Sequence, residues 1–137
     1  MKAQIGIEYM VVVSLIIVIL IPMFYLANQK LESARTANEA RIAMNTIVTS
    51  VNTVYAQSPG SMLTSRVFIP NGYNYSGSFI VNRSIVMDFT SACGDRYVIE
   101  GIAKCNVSGK LPPRPGYYLM TFNLTSYGNV SINTVTS

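Results

Sequence analysis

Residues 2–27 read KAQIGIEYMVVVSLIIVILIPMFYLA, and this stretch decides the architecture. From residue 9 to residue 27 there is no charge, and the centre of the run is almost purely aliphatic. Nineteen helical residues rise about 28 Å, close to the hydrocarbon thickness of a bilayer. A core helix of a soluble domain is shorter and shows polar positions, so the stretch reads as a membrane-inserting helix. One residue sits oddly against it. Glu8 stands at the threshold of the apolar run, with Lys2 the only basic residue before it. An acidic side chain costs about 2.5–3.5 kcal/mol at the centre of a membrane helix, and less toward its end.

A secretory signal peptide fits this stretch poorly. The basic region is a single lysine, and the apolar run exceeds an h-region of about 7–15 residues. Cleavage after Ala27 would also place Tyr25 where a small side chain is wanted. Past the run the chain continues without a break signal, having no Gly or Pro from residue 30 to residue 57. Leu31, Ala34, Ala37, Ala40, Met44, Ile47, Val51 and Val54 recur every three or four residues, the apolar stripe of an amphipathic helix. Ser58-Pro59-Gly60 should end it. The first part is therefore expected to be one long helix, apolar all round and then amphipathic. Pro22 should kink or loosen it near residues 18–22.

Beyond residue 58 the period switches to two. Strands are expected at 66–69, 78–81, 84–89, 97–103, 117–124 and 129–135, rich in Val, Ile, Phe, Tyr and Thr. Pro70-Asn71-Gly72, Cys93-Gly94-Asp95, Ser108-Gly109 and the segment 112–116 read as turns between them. The fold class expected is α+β: a long N-terminal helix followed by a small antiparallel sheet or sandwich. The division is a short leader at 1–3, the helix at 4–57 and a β domain at 58–137. So small a β domain makes a thin core, which the amphipathic stripe would help to close.

Charged residues make up 12% of the chain, about half the roughly 25% of soluble domains. The net charge of +4 is scattered singly, without the patch that binding nucleic acid requires. Cys93 and Cys105 can close a loop worth about 3 kcal/mol in an oxidising compartment, or stand as two buried thiols. Five Asn-x-Ser/Thr sequons begin at Asn74, Asn82, Asn106, Asn123 and Asn129, all after residue 60. They signal either N-glycosylation of an exported surface or merely a Ser/Thr/Asn-rich strand composition. Tyr73, Tyr75, Tyr97, Tyr117, Tyr118 and Tyr127 are either an adhesive surface or core and edge residues of the sheet. With no His there is no Ser-His or Cys-His pair, and zinc loses its commonest imidazole ligand. Asp88, Asp95 and Glu100 are the carboxylates of this half and read as surface charge. No enzyme activity, metal or cofactor is expected.

The opening residues resemble the processing site of archaeal type IV pilin-like precursors, which carry a class III signal peptide. In that family a membrane-embedded prepilin peptidase cuts before a Gln, which corresponds to cleavage between Ala3 and Gln4. Gly6 falls where the pattern has a small residue, and Glu8 becomes the fifth residue of the processed chain. The resemblance is strong over the first 27 residues and architectural beyond. It implies that Glu8 neutralises the new α-amino group at Gln4 of a neighbouring subunit during assembly. Each charge is costly alone in an apolar bundle and satisfied in a pair, so cleavage creates the partner that Glu8 lacks.

The expectation is an exported filament subunit, serving adhesion or surface interaction at the cell surface, its precursor held in the cytoplasmic membrane. Its implied partners are copies of itself, the prepilin peptidase, an assembly ATPase and a membrane platform protein, with no nucleic acid. The alternatives are a single-pass membrane protein with an extracellular binding domain, an archaellum-like motility filament, and a secreted domain cut after Ala27.

Overall fold

The computed structural model describes residues 2–125 and 127–136, with side chains over 6–125 and 127–135. Helix α1 runs over Lys2–Tyr55, about 80 Å at 1.5 Å per residue. It continues unbroken through Pro22, whose ring nitrogen cannot donate to the Val18 carbonyl one turn back. Three threonines in the second half satisfy their hydroxyls within the helix. Thr36 donates to the Glu32 carbonyl at 3.0 Å, Thr46 to Ile42 at 2.8 Å and Thr53 to Thr49 at 2.7 Å. The helix closes as foreseen. Gln57 N–H tightens onto the Val54 carbonyl at 3.1 Å, and Ser58-Pro59-Gly60 turns the chain back.

Seven strands follow: β1 (Met62–Ile69), β2 (Tyr73–Val81), β3 (Ser84–Thr90), β4 (Arg96–Ile102), β5 (Val107–Gly109), β6 (Gly116–Leu124) and β7 (Val130–Thr136). They form two sheets, one in the order β1-β6-β7-β5 and the other β2-β3-β4. The expected α+β class, a long N-terminal helix leading into β-sheet, is the observed one. Two local expectations are corrected. Ser108-Gly109 is not a turn but part of β5, which pairs parallel to β7 in an otherwise antiparallel sheet. Gly109 has φ +132°, and a Cβ there would run into the Ile132 backbone, so close pairing demands glycine. Strand β2 also begins five residues earlier than its apolar pattern indicates, because a bulge between Asn74 and Phe79 breaks the alternation.

One core serves both sheets. Ala40, Ala43, Met44, Ile47, Val51 and Val54 of α1 are buried against Val67, Met120, Phe122 and Ile132 of the larger sheet and Ile85, Met87 and Phe89 of the smaller. Gly101 on β4 marks how closely the helix approaches. A Cβ there would lie 2.5 Å from Met44 Sδ and 2.6 Å from Val48 Cγ2. Strand β1 runs antiparallel to α1: Phe68 and Asn71 lie beside residues 28–39, while Gly60 N–H reaches the Leu124 carbonyl near the helix end. The β domain thus has a near pole, facing the apolar half of α1, and a far pole at the helix C-terminus.

Replacing Ile47 with alanine should lower unfolding stability by about 2–5 kcal/mol, since the side chain is fully buried. Leu31→Ala, counted with the stripe in the sequence but on the helix side turned away from the sheets and 74% exposed, should change it by no more than about 0.5 kcal/mol. Urea unfolding of the full chain in detergent micelles, followed by near-ultraviolet circular dichroism, measures both.

Candidate functional site

The first half of α1 has no partner within the chain. From Ile7 to Leu26 the large apolar side chains point outward on every side, most of them half exposed or more. This helix is long and apolar enough to cross a membrane. Glu8 is exposed and carries the only charge between Lys2 and Lys30. Gly6, half a turn before it, has nothing within 4 Å of where a Cβ would stand, which leaves that side of the helix open to close approach. Ala3 and Gln4 belong to α1, but their side chains lie outside the described residues, so the pairing expected of Gln4 is not on view.

The amphipathic stripe is covered over only part of its length. Burial is complete at Ala40 and persists to Val54, whereas Ala37 is half-buried and Leu31 and Ala34 are exposed. The β domain simply ends: its near pole reaches the height of Ser33, whose hydroxyl lies 3.4 Å from Cys93 Sγ. On the side of α1 turned away from the sheets, Leu31, Arg35, Asn38, Ile42, Asn45 and Thr49 follow one another at spacings of three and four. All six are exposed, and Arg35, paired with Glu39 at 3.0 Å, is the one charge among them. Beyond Arg35 this face carries no charge, where a solvated helix face normally does.

The expected Cys93–Cys105 disulfide is not formed; both cysteines are free. Strand β4 lies between them, and seven extended residues span about 20 Å. A disulfide needs Cα atoms about 4.4–6.8 Å apart. Cys93 is exposed in the β3–β4 turn, while Cys105 is buried behind β4. Burial pushes the Cys105 thiol up from its ordinary range, so it stays protonated and unreactive at neutral pH.

Asp88 is not a surface charge either. Its side chain is 1% exposed, although the alternation of β3 turns it to the outer face of the three-stranded sheet. The β2 bulge folds over it. Arg96 Nε donates to both carboxylate oxygens at 2.9 and 3.0 Å, and Asn74 Nδ2 to one of them at 3.2 Å. Ser78 Oγ accepts the Asp88 backbone N–H at 3.0 Å. Gly77 has no room for a Cβ, which would strike the carboxylate. The group is a satisfied ion pair that pins the bulge. Its sequence signal was the small polar run Asn74-Tyr75-Ser76-Gly77-Ser78, which suits a bulge better than a regular strand.

The tyrosines divide by environment. Tyr73 and Tyr118 are buried and Tyr97 half-buried, with Tyr73 and Tyr97 flanking Phe89 at centroid distances of 5.5 and 5.6 Å. Burial raises the hydroxyl pKa of both Tyr73 and Tyr97. Tyr75, Tyr117 and Tyr127 are exposed. Arg66 lies 4.7 Å above the Tyr117 ring, a cation–π contact on the outer face of the larger sheet. Of the sequon asparagines, Asn82, Asn106 and Asn129 are exposed in connections, Asn123 is half-buried in β6, and Asn74 is bound to Asp88 in β2.

A maleimide added to the native chain should label Cys93 within minutes and reach Cys105 only after unfolding, as peptide mass mapping would register. Asp88→Ala should destabilise the domain by about 1.5–3 kcal/mol, the range for hydrogen bonds to a charged group. Denaturant titration measures that loss.

Compared with family models, curated proteins and solved structures, the chain matches none.

Proposed function

We propose that the chain is the structural subunit of an extracellular filament of the type IV pilus kind, resembling archaeal pilins with a class III signal peptide. The observation that carries this reading is the uncovered helix. Residues 7–26 are apolar on all sides, contain no charge but Glu8, and receive nothing from the β domain. In a membrane, lipid covers them; in a filament, copies of the same helix do.

Two further features favour copies over lipid alone. A bilayer accounts for about 20 residues of helix, yet the bare surface goes on through Leu31 and Ala34 and, past Arg35, along Asn38, Ile42, Asn45 and Thr49. That face suits helix neighbours, because asparagine and threonine can hydrogen-bond across a helix interface. The second is Glu8. A lone carboxylate is a liability in an apolar bundle, whereas one facing the free amine of a chain beginning at Gln4 is neutralised. Only one axial offset brings the two together, so the pair fixes register as well as charge. Prepilin peptidase would supply the amine, and an assembly ATPase and platform protein would draw the subunit out of the membrane. The β domain faces outward, where it serves adhesion.

Breaking a buried pair costs about 3–5 kcal/mol per contact. Glu8→Gln should therefore abolish filaments while leaving the level of the subunit in the membrane unchanged, as seen by electron microscopy of sheared surface material and immunoblots of the membrane fraction. Material shed by the unsubstituted protein should begin at Gln4 by N-terminal peptide mass. A chain that keeps Met1 and forms no polymer would return the protein to a single-pass anchor.

A further inference from the structure

Three sequon asparagines far apart in the sequence meet at one place in the fold. The Asn82 carbonyl accepts the N–H of Val107 at 2.7 Å, and the Asn106 carbonyl accepts that of Val130 at 3.0 Å. The Asn129 carbonyl accepts the N–H of Thr125 at 2.9 Å. Asn82, Asn106 and Asn129 thus lie on successive connections, β2–β3, β4–β5 and β6–β7, laced edge to edge. These connections form the far pole: Lys104 N–H, beside Asn106, is held by Asn52 Oδ1 at 2.9 Å in the last turn of α1.

All three side chains are exposed. None makes a side-chain hydrogen bond among the described residues. Asn82 sits in a two-residue turn at φ +53°, which projects its amide from the sheet. Two of the hydroxyl partners are open, while Ser131 of the third sequon is half-buried at the start of β7 and donates to the Asn123 carbonyl at 3.5 Å. Ser108 is exposed, and Ser84 shares its hydroxyl only with the exposed Glu100 carboxylate. The other two sequons differ. Asn74 is held at both ends of its amide, donating to buried Asp88 and accepting the Ser76 N–H at 3.2 Å. Asn123 lies mid-strand, half-buried and paired with Met62 on one side and Ser131 on the other. A merely Ser/Thr/Asn-rich strand composition would put sequons along strands. Here three of the five stand in connections at a single pole.

We infer that the far pole is a glycan cap: Asn82, Asn106 and Asn129 accept N-linked oligosaccharide, and Asn74 and Asn123 do not. In the transfer, Nδ2 bonds to the anomeric carbon of an oligosaccharide carried on a lipid phosphate. The bond from that carbon to the phosphate oxygen breaks, the amide gives up one N–H proton, and the lipid phosphate leaves. No oxidation or reduction is involved. The inference rests on the β domain lying outside the cell, and not on filament assembly. It places the sugar away from the apolar helix and leaves the outer faces of both sheets bare.

The test is glycopeptide mass spectrometry on the full chain, shaved by protease from intact cells that naturally make it. The expected result is oligosaccharide at Asn82, Asn106 and Asn129, with Asn74 and Asn123 bare. The combined variant Asn82→Gln, Asn106→Gln and Asn129→Gln should then lose all glycan mass yet still reach the surface. Oligosaccharide at Asn74 or Asn123, or a bare asparagine at any of the three polar sites, overturns the inference. If peptides of the β domain are released but carry no sugar, the cap alone fails. If none are released from intact cells, the outward placement fails with it.

Discussion

The seam between α1 and the two sheets, from Ala40 to Val54, is the contact on which the remaining structure depends. Neither sheet can close a core alone, since each is small and each presents one apolar face. The helix supplies the missing layer to both at once. Its fully buried Ile47, Val51 and Val54 are each worth about 1.5–3 kcal/mol on transfer from water. Gly101 is the place where β4 gives way to let the helix in. A substitution in this seam would loosen both sheets together, because the core is a single cluster.

The seam has a second consequence, because it stops. The apolar run of α1, up to Leu26, projects from the domain with no cover from its own chain. A soluble protein rarely presents such a surface. The projection is also an unbroken continuation of the helix that anchors the core. The apolar half therefore runs without a break into the helix that carries the β domain, and Pro22 lacks one backbone donor along the way.

Much of this was legible in the sequence. Nineteen uncharged residues, a stripe at three and four, and a Ser-Pro-Gly stop determine the helix almost to its last turn. Strands with a clear period of two were placed within a few residues. The misses share a cause: tertiary contact decided what local pattern could not. The pairing of β5 comes from its neighbour β7, since three residues carry no periodicity of their own. Asp88 alternates with buried Met87 and Phe89 and so should be exposed, until the β2 bulge covers it. The spacing of Cys93 and Cys105 permits a loop, but the strand between them is held straight. Leu31 was counted with the stripe, but sixteen residues at about 100° each put it opposite Ile47, and Ala34 lies short of where the opposing surface begins. For the candidate site, Glu8 and the bare helix were readable directly, whereas the convergence of Asn82, Asn106 and Asn129 needed the sheet topology.

A continuous helix ties the position of one charge to the position of a domain. Ala40, where cover by the sheets begins, lies 32 residues beyond Glu8, or about 48 Å along the helix axis. If a partner amine fixes the height of Glu8, it fixes the height of the seam, and with it both sheets. The near pole reaches down to Ser33, six residues past Ala27, so it lies about 9 Å above the apolar run. That gap is close to the depth of a headgroup layer, about 5–8 Å on each side of the hydrocarbon. In a membrane the domain would therefore rest at the interface with no spacer. The same short gap would let neighbouring domains close in once the helices leave the bilayer. A flexible linker would serve an anchor as well; only an assembly that must transmit register gains from an unbroken helix.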